Sequence, residues 1–438
     1  MKNKRLKKIL LVFLTTFAVV ALMMAVYFLP PVHARLSWRV RGLRSRIFNF
    51  FNPHADAVFT PGQREEMDAI VTLTQLAMAS EPTETPLPTI TPTDQVAPTP
   101  TLTLTPTPTS TPIPDAFSLS GVVHEYQQEN NCGPATLSMA LSFWGWEGNQ
   151  RVTQRILRPH RNDRNVMPYE MVNYVRHHTD LDALMRWGGD VEIVKQFIAA
   201  GFPVIIERDM GDVRPNEDWT GHYGVVTGYD DGRGRFILQD SYITSNYPLS
   251  YEDITRYWRA FNYVYIVIFP PERQPEVMAI LGSHADEAYN HQHAASKAQA
   301  EIPHLEGRDL FFAWYNYGTS LVNQGDFFGA AQAYDHAYEV VYPTIPDQAQ
   351  PSRMLWYQIG PYFAYYHTGR YQDVIEMANV TLWRTGVSEI EETWFWRGRA
   401  RLALGDRDGA IADFRQALRY HPGWAPAETE LRNMGIEP

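Results

Sequence analysis

Residues 81–114, EPTETPLPTITPTDQVAPTPTLTLTPTPTSTPIP, divide this 438-residue chain into parts that must fold apart. The stretch is roughly two-thirds Pro and Thr, with too few apolar side chains to bury a core and a strong bias to extended polyproline backbone. At about 3.1 Å per residue it can reach roughly 100 Å. It reads as a Pro/Thr-rich stalk over 81–115, and any compact fold lies to one side of it.

Upstream of the stalk, the basic N-terminus MKNKRLKK (1–8) precedes the uncharged run ILLVFLTTFAVVALMMAVYFL at 9–29. Crossing a bilayer as a helix takes roughly 20 apolar residues, whereas the apolar region of a cleaved signal peptide is shorter, roughly 7 to 15. An uncleaved transmembrane helix is therefore expected at 9–29. A juxtamembrane helical segment follows at 30–80. Within it, RLSWRVRGLRSRIFNFF alternates Arg with large apolar residues, the pattern of a basic helix lying on lipid headgroups or of an ordinary exposed helix. Basic residues flank the span on both sides, so charge alone does not orient it. Stalks of this composition are commoner outside the cell, which sets the expectation of a single-pass membrane protein with extracellular catalytic and repeat domains.

The formal net charge of −11 understates the acidity of the rest, because the first 51 residues hold ten Lys/Arg and no Asp/Glu. An acidic bulk argues against nucleic acid as a partner. The single cysteine excludes an internal disulfide and a thiolate zinc cluster. No cofactor and no metal are expected. The segment HADEAYNHQH brings His284, Asp286, Glu287, His291 and His293 close in sequence, but at helical spacing only His284 and His291 share a face, so it reads as a solvated helix. His177 and His178 end a predicted helix, where they serve backbone carbonyls, and RNDRNV at 161–166 reads as an ordinary loop.

Beyond residue 115 the sequence turns dense in apolar and aromatic residues, and 116–272 reads as one folded domain. In YQQENNCGPATLSMALSFWGW, Leu137, Ala140, Leu141 and Trp144 recur at helical spacing after Cys132, and Gly145 can end the helix. Cys132 thus falls at a helix N-terminus, where exposed amide dipoles favour the thiolate. Downstream, GHYGVVTGYDDGRGRFILQDSY (221–242) reads as a hairpin whose turn centres near Asp231 or Gly232. Asp240 then lies opposite His222 or Gly224, on the His222 face in either register. A slip by one residue would separate the two, so the pairing depends on an odd turn. Helices are predicted near 149–160, 167–179 and 190–200, with strands at FPVIIER and NYVYIVIF. A leading helix and an antiparallel sheet make an α+β domain.

With QQENNCGPATLSMAL, GHYGVVTGYD and LQDSY in this order, roughly residues 118–270 resemble the papain-like bacteriocin-processing (double-glycine) cysteine peptidases. The resemblance implies Cys132 as nucleophile, His222 as general base and acid, and Asp240 as the group orienting His222. It further implies a glutamine ahead of the cysteine that serves the oxyanion. Gln127 and Gln128 stand five and four residues upstream, while the commoner family spacing is six, which Tyr126 occupies; Gln127 is the expected residue. The bacteriocin exporters of the family add a multispan transporter and an ATPase. No phosphate-binding Gly-Lys-Ser/Thr loop occurs here, so their double-glycine specificity is not implied. Taken alone, a cysteine before an amphipathic helix is more often a small core residue; the His/Asp hairpin and the upstream glutamine favour catalysis.

After a connecting helix at 273–305, residues 306–438 are helical and repetitive. Gly318, Gly325, Ala330, Tyr334 and Ala337 match Gly398, Gly405, Ala410, Phe414 and Ala417 at identical offsets, and Pro343 and Pro422 end the two units. Small residues let paired helices approach and aromatic residues fill the space between them. This region resembles the tetratricopeptide repeat, with a weaker middle unit around Gly369. The resemblance implies a peptide-binding groove, while a scaffold packed on the first domain fits the residues equally.

The chain is expected to be a membrane-anchored cysteine peptidase acting on a peptide or protein substrate, with an all-α repeat domain that binds substrate or a protein partner and that can be removed after about residue 300 without loss of catalysis. Two rival functions use the same residues: an amidase or transpeptidase acting on cell-wall peptides, and a non-catalytic adaptor working through its repeats.

Overall fold

The computed structural model describes residues 113–160, 163–211, 219–384 and 389–438. The expected transmembrane helix at 9–29, the juxtamembrane segment and nearly all of the stalk lie outside the described residues. Among the described residues no helix is long and apolar enough to cross a membrane.

The first domain is a seven-stranded antiparallel sheet with helices on both faces. Its strands are β1 (Ala116–Ser118), β2 (Asp182–Arg186), β3 (Val204–Asp209), β4 (Gly221–Asp230), β5 (Arg235–Gln239), β6 (Tyr247–Ser250) and β7 (Tyr265–Phe269), in spatial order β2-β7-β3-β4-β5-β6 with β1 paired to β4. Side-chain alternation sorts the strands between two cores. Ile205, Tyr223, Val225, Ile266 and Ile268 point toward α1 (Cys132–Phe143) and α3 (Pro168–His178), which follows α2 (Gln150–Leu157). Val204, Ile206, Val226, Leu238 and Val267 point the other way, toward α4 (Val191–Ala199), α5 (Tyr251–Arg259) and α6 (Gln274–Leu281). The three helices expected between 149 and 200 are present, as are both expected strands, within a few residues of their predicted ends. Short β1, β2 and β6 escaped the sequence reading. β2 and β6 are edge strands, and Pro248 interrupts the alternation of β6 where an edge tolerates a missing N–H.

The β4–β5 hairpin lacks the expected odd turn and brings His222 and Asp240 onto one face by another route. Asp230 pairs with Arg235 across a four-residue loop, an even turn that by itself would set Asp240 opposite Val225 and away from His222. A β-bulge between Val226 and Gly228 shifts the register by one, so Val225 pairs with Gln239 and Asp240 comes level with Gly224. Consistent with this, Val226 and Tyr229, three residues apart, both face the same core. The bulge lies where β4 changes partner, from β3, paired through Val226, to β1, paired from Gly228.

The expected connecting helix at 273–305 is two helices, α6 and α7 (Glu287–Glu301), broken at Gly282, whose φ of +53° suits glycine. His284 precedes α7, so the helical spacing used to pair it with His291 does not apply. Its ring lies 4.5 Å from that of His293 instead, while His291 packs on Trp187. The array then comprises α8 (Gly307–Gln324) with α9 (Phe327–Asp335), the short α10 (Met354–Tyr357), α11 (Gly360–His367) with α12 (Tyr371–Arg384), α13 (Glu391–Ala403) with α14 (Arg407–Tyr420), and the closing α15 (Ala425–Asn433). The identical offsets have one physical cause. A Cβ on Gly318 would lie 2.9 Å from the Tyr334 ring, and one on Gly398 would lie 2.8 Å from the Phe414 ring. In each unit an aromatic side chain occupies the space left by a missing Cβ.

The array and the sheet domain share a core. Trp219, Ala260, Phe261 and Val264 of the first domain join one buried cluster with Phe312, Tyr315 and Tyr357 of the second, and Trp219 stacks on Phe261 at 5.4 Å between ring centroids. Beyond the middle of the chain the polypeptide returns to the sheet, where α10 packs beside the start of β4. The physical boundary at 306 is therefore not a solvent-filled linker. Because buried large apolar residues contribute roughly 1.5–3 kcal/mol each, a chain cut near residue 300 is expected to lose several kcal/mol of stability and its activity together. Thermal melting beside hydrolysis of a small peptide amide checks this; an intact melt with full turnover would show the array to be separable.

Candidate active site

The site begins with the turn before α1. Asn130 adopts φ +52°, a left-handed conformation that Asn tolerates, and Asn131 caps the helix with its backbone carbonyl accepting from the Ala135 amide at 3.0 Å. Cys132 is the first helical residue, half-buried, at the end of the helix where the dipole favours a negative charge. Gly133 is small for a reason: a Cβ there would lie 3.0 Å from Cβ of Val166, in the loop packed over the helix start.

The approach to Cys132 is held by Gln150, the first residue of α2. Its Nε2 donates to the Tyr126 carbonyl (2.8 Å) and to Glu125 Oε2 (3.2 Å). Its Oε1 accepts from the Gln128 amide (2.7 Å) and from Asn131 Nδ2 (2.8 Å). One buried amide side chain thus uses both ends to fix the strand of backbone that carries the two candidate glutamines. Arg158, almost wholly buried, donates through Nη1 to Asn131 Oδ1 at 3.0 Å. Neither residue was singled out from sequence, since a Gln opening a helix and an Arg closing one are ordinary; burial alone distinguishes them.

His222 and Asp240 meet as the corrected register requires. His222 Nε2 lies 2.9 Å from Asp240 Oδ1, both residues being buried. Gly221 precedes His222 because a Cβ there would lie 2.5 Å from the Phe261 ring. With Nε2 engaged by the carboxylate, Nδ1 is the ring nitrogen left for the Cys132 thiol, with which His222 interacts electrostatically. The imidazole therefore bridges cysteine and aspartate.

Asp240 is saturated. Besides His222, its Oδ1 accepts from the Tyr242 and Ile243 amides at 2.9 and 3.0 Å, and its Oδ2 accepts from Arg208 Nη2 at 3.2 Å. Arg208 is fully buried and sits directly across from His222 in the β3–β4 ladder. The signal available for it was a run of three charged residues, Glu207 to Asp209, continuing an apolar strand, since a buried guanidinium requires an acidic partner.

These contacts set the protonation states. Burial opposes the charge on all three groups, and the contacts override it. His222 is pushed up to about 9 by the charge and hydrogen bond of Asp240, assisted by Cys132. Asp240 is held far below the usual carboxylate range by His222 and Arg208. The Cys132 thiol is lowered by its hydrogen bond to His222 and the imidazolium charge, by the Tyr223 backbone amide, and by Arg158. The shifts act together, favouring a thiolate beside an imidazolium beside a carboxylate.

The two glutamines separate by partner. Gln127 faces the triad end: its amide donates to the Ser241 carbonyl (2.8 Å) and its Oε1 accepts from Ser241 Oγ (3.0 Å). Gln128 is tied through its backbone to Gln150. No hydrogen bond joins either side chain to Cys132 among the described residues. On the other flank, Tyr357 OH lies 3.5 Å from Thr220 Oγ1, and Arg353 Nη1 donates to that same oxygen at 3.3 Å, so the helical array borders the strand that carries His222.

Comparison with known proteins supplies the same two halves. Residues 120–266 match the sequence model of the Peptidase_C39 like family, and residues 391–424 match the tetratricopeptide repeat. The chain thus carries a C39-like peptidase domain followed by a repeat region. Among solved structures, a protein of Bacillus anthracis assigned as a C39-like peptidase is similar at 15% identity with a TM-score of 0.30, over 35% of this chain and 96% of that one. No curated protein matches.

Breaking a buried ion pair by removing one partner costs about 3–5 kcal/mol. Arg208→Met is accordingly expected to lower stability by about that amount, because Asp240 keeps its charge and loses the partner on Oδ2. The loss should shrink in Arg208→Met/Asp240→Asn, where the carboxylate that Arg208 balances is also gone. Urea unfolding of the three proteins measures it, and equal losses in both variants would deny the pair this role.

Proposed function

We propose that the chain is a cysteine peptidase that hydrolyses peptide bonds through Cys132, His222 and Asp240. The observation that carries this reading is the single imidazole bridging a helix-start thiol and a fully hydrogen-bonded carboxylate. The Cys132 thiolate attacks the scissile carbonyl carbon, and the oxyanion is met by the Cys132 amide, with Gln127 as its side-chain donor. His222 Nδ1 passes its proton to the leaving amine as the C–N bond breaks, leaving a thioester. The neutral imidazole then takes a proton from water, whose oxygen displaces the thiolate and releases the acid. Asp240 keeps the ring oriented throughout and balances the imidazolium charge. The repeat region is read as the binding surface for substrate or a protein partner, and the 9–29 segment as the anchor that leaves both domains outside the cell.

Turnover needs Cys132 deprotonated and His222 protonated, so the pH profile should be a bell. Its acid limb lies below the ordinary thiol range and its basic limb near about 9, the value to which His222 is raised. Cys132→Ala and His222→Ala should abolish hydrolysis of a peptide library. Asp240→Asn should retain a residue of activity, and Gln127→Ala should cost roughly 10²- to 10³-fold, the usual loss for an oxyanion donor, with Gln128→Ala mild. Product analysis in the presence of added amines distinguishes hydrolysis from transpeptidation. A folded protein inert toward every peptide, with Cys132 unreactive to iodoacetamide at pH 6, would leave only the adaptor role.

The anchored topology has its own check. Protease added to intact cells should release a soluble fragment beginning within 81–115, and protection of that fragment until lysis would place the domains inside.

A further inference from the structure

We propose a divalent transition-metal site, distinct from the catalytic cysteine, formed by Asp163, Glu391 and His421 where the last repeat pair meets the peptidase domain. Each residue offers one ligand atom, and the three atoms lie within 4.8 Å of one another. All three residues are buried, Asp163 and Glu391 almost completely. They come from distant parts of the chain: the loop between α2 and α3, the first residue of α13, and the residue that follows α14.

Asp163 is built in and left half-satisfied. Arg158 grips its backbone carbonyl through Nε and Nη2 at 3.1 and 2.6 Å, and the Asn165 amide donates to Oδ1 at 3.2 Å. Its Oδ2 is buried with no hydrogen-bond partner. A buried carboxylate oxygen without a donor is costly, and proteins seldom keep one without a purpose. Opposite it, His421 Nδ1 lies 2.8 Å from Glu391 Oε1. Glu392 is buried alongside, so buried carboxyl groups gather here, with Arg158 and His421 as nearby cations among the described residues. A bound dication supplies the missing positive charge and gives the orphan oxygen a partner.

The donor set selects the metal class. One imidazole nitrogen with two carboxylate oxygens suits Zn²⁺ and its first-row neighbours, whereas Ca²⁺ and Mg²⁺ prefer oxygen alone. Bonds of roughly 2.1 Å place tetrahedral ligand atoms about 3.4 Å apart, a spacing that lies between the 2.8 Å of the His421–Glu391 pair and the 4.8 Å within which all three atoms fall. The site also has somewhere to act. Arg158, which holds Asp163, donates to the Asn131 side chain immediately before Cys132. An ion there ties the docking of the last repeats to the loop that sets the start of the catalytic helix.

The test uses the full-length Cys132→Ala chain, so that the active-site thiol takes no metal. Equilibrium dialysis against Zn²⁺ followed by elemental analysis should find an ion that Asp163→Asn binds at least about 100-fold more weakly. Saturating Zn²⁺ should raise the melting midpoint of the parent by about 3 °C or more and leave that of Asp163→Asn unmoved. Without metal, Asp163→Asn should melt no lower than its parent, since it removes a buried carboxyl oxygen that has no hydrogen-bond partner. If that variant does not fold, His421→Gln gives the same readout. Zn²⁺ retained by the variants, absent from the parent, or matched in midpoint shift by Ca²⁺ overturns the site; none of these outcomes bears on the peptidase reading, because Cys132 is absent throughout.

Discussion

The Asp240 carboxylate is the constraint on which the site depends. It is buried, charged, and surrounded by four donors: the His222 ring, the Arg208 guanidinium and the amides of Tyr242 and Ile243. A charge in the interior persists only when its partners are fixed, because moving any one of them leaves an uncompensated ion. The β3–β4 ladder, the bulge in β4 and the turn after β5 are all held to the geometry this carboxylate needs. The raised pKa of His222 is the electrostatic consequence, and the lowered thiol of Cys132 follows in turn.

The helical array is more than an appendage to this arrangement. Its residues complete the core around Trp219 and Phe261, its α10 borders the strand bearing His222, and its last pair closes over the loop that holds Arg158. Catalytic machinery on one side of such a junction inherits its rigidity from the other.

Much of the fold was legible because it rests on local periodicity. The helix after Cys132 follows from apolar spacing, Gly145 marks its end with φ +80°, and the matched glycines of the array foretell their aromatic partners. His222, Asp240, Cys132 and Gln127 stood out as candidates through residue type and order. Edge strands were missed because three to five residues carry little pattern, and the break of 273–305 at Gly282 was missed because one glycine in a polar helix is a weak signal.

The sequence by itself determined which residues are available: one thiol at a helix start, a histidine and an aspartate on successive strands, a repeating set of small and aromatic positions, and a Pro/Thr-rich tract. Only the tertiary structure decided how they meet. The four-residue turn gives the wrong register, and the bulge that corrects it is stabilised by a change of strand partner far away in sequence. Arg208, Gln150 and Arg158 acquire meaning from burial, a property of the packed chain. The same holds for Asp163, Glu391 and His421, which nothing local connects: their closeness is fixed by how the array folds back on the sheet, and long-range packing of that kind leaves no periodic trace in a single sequence.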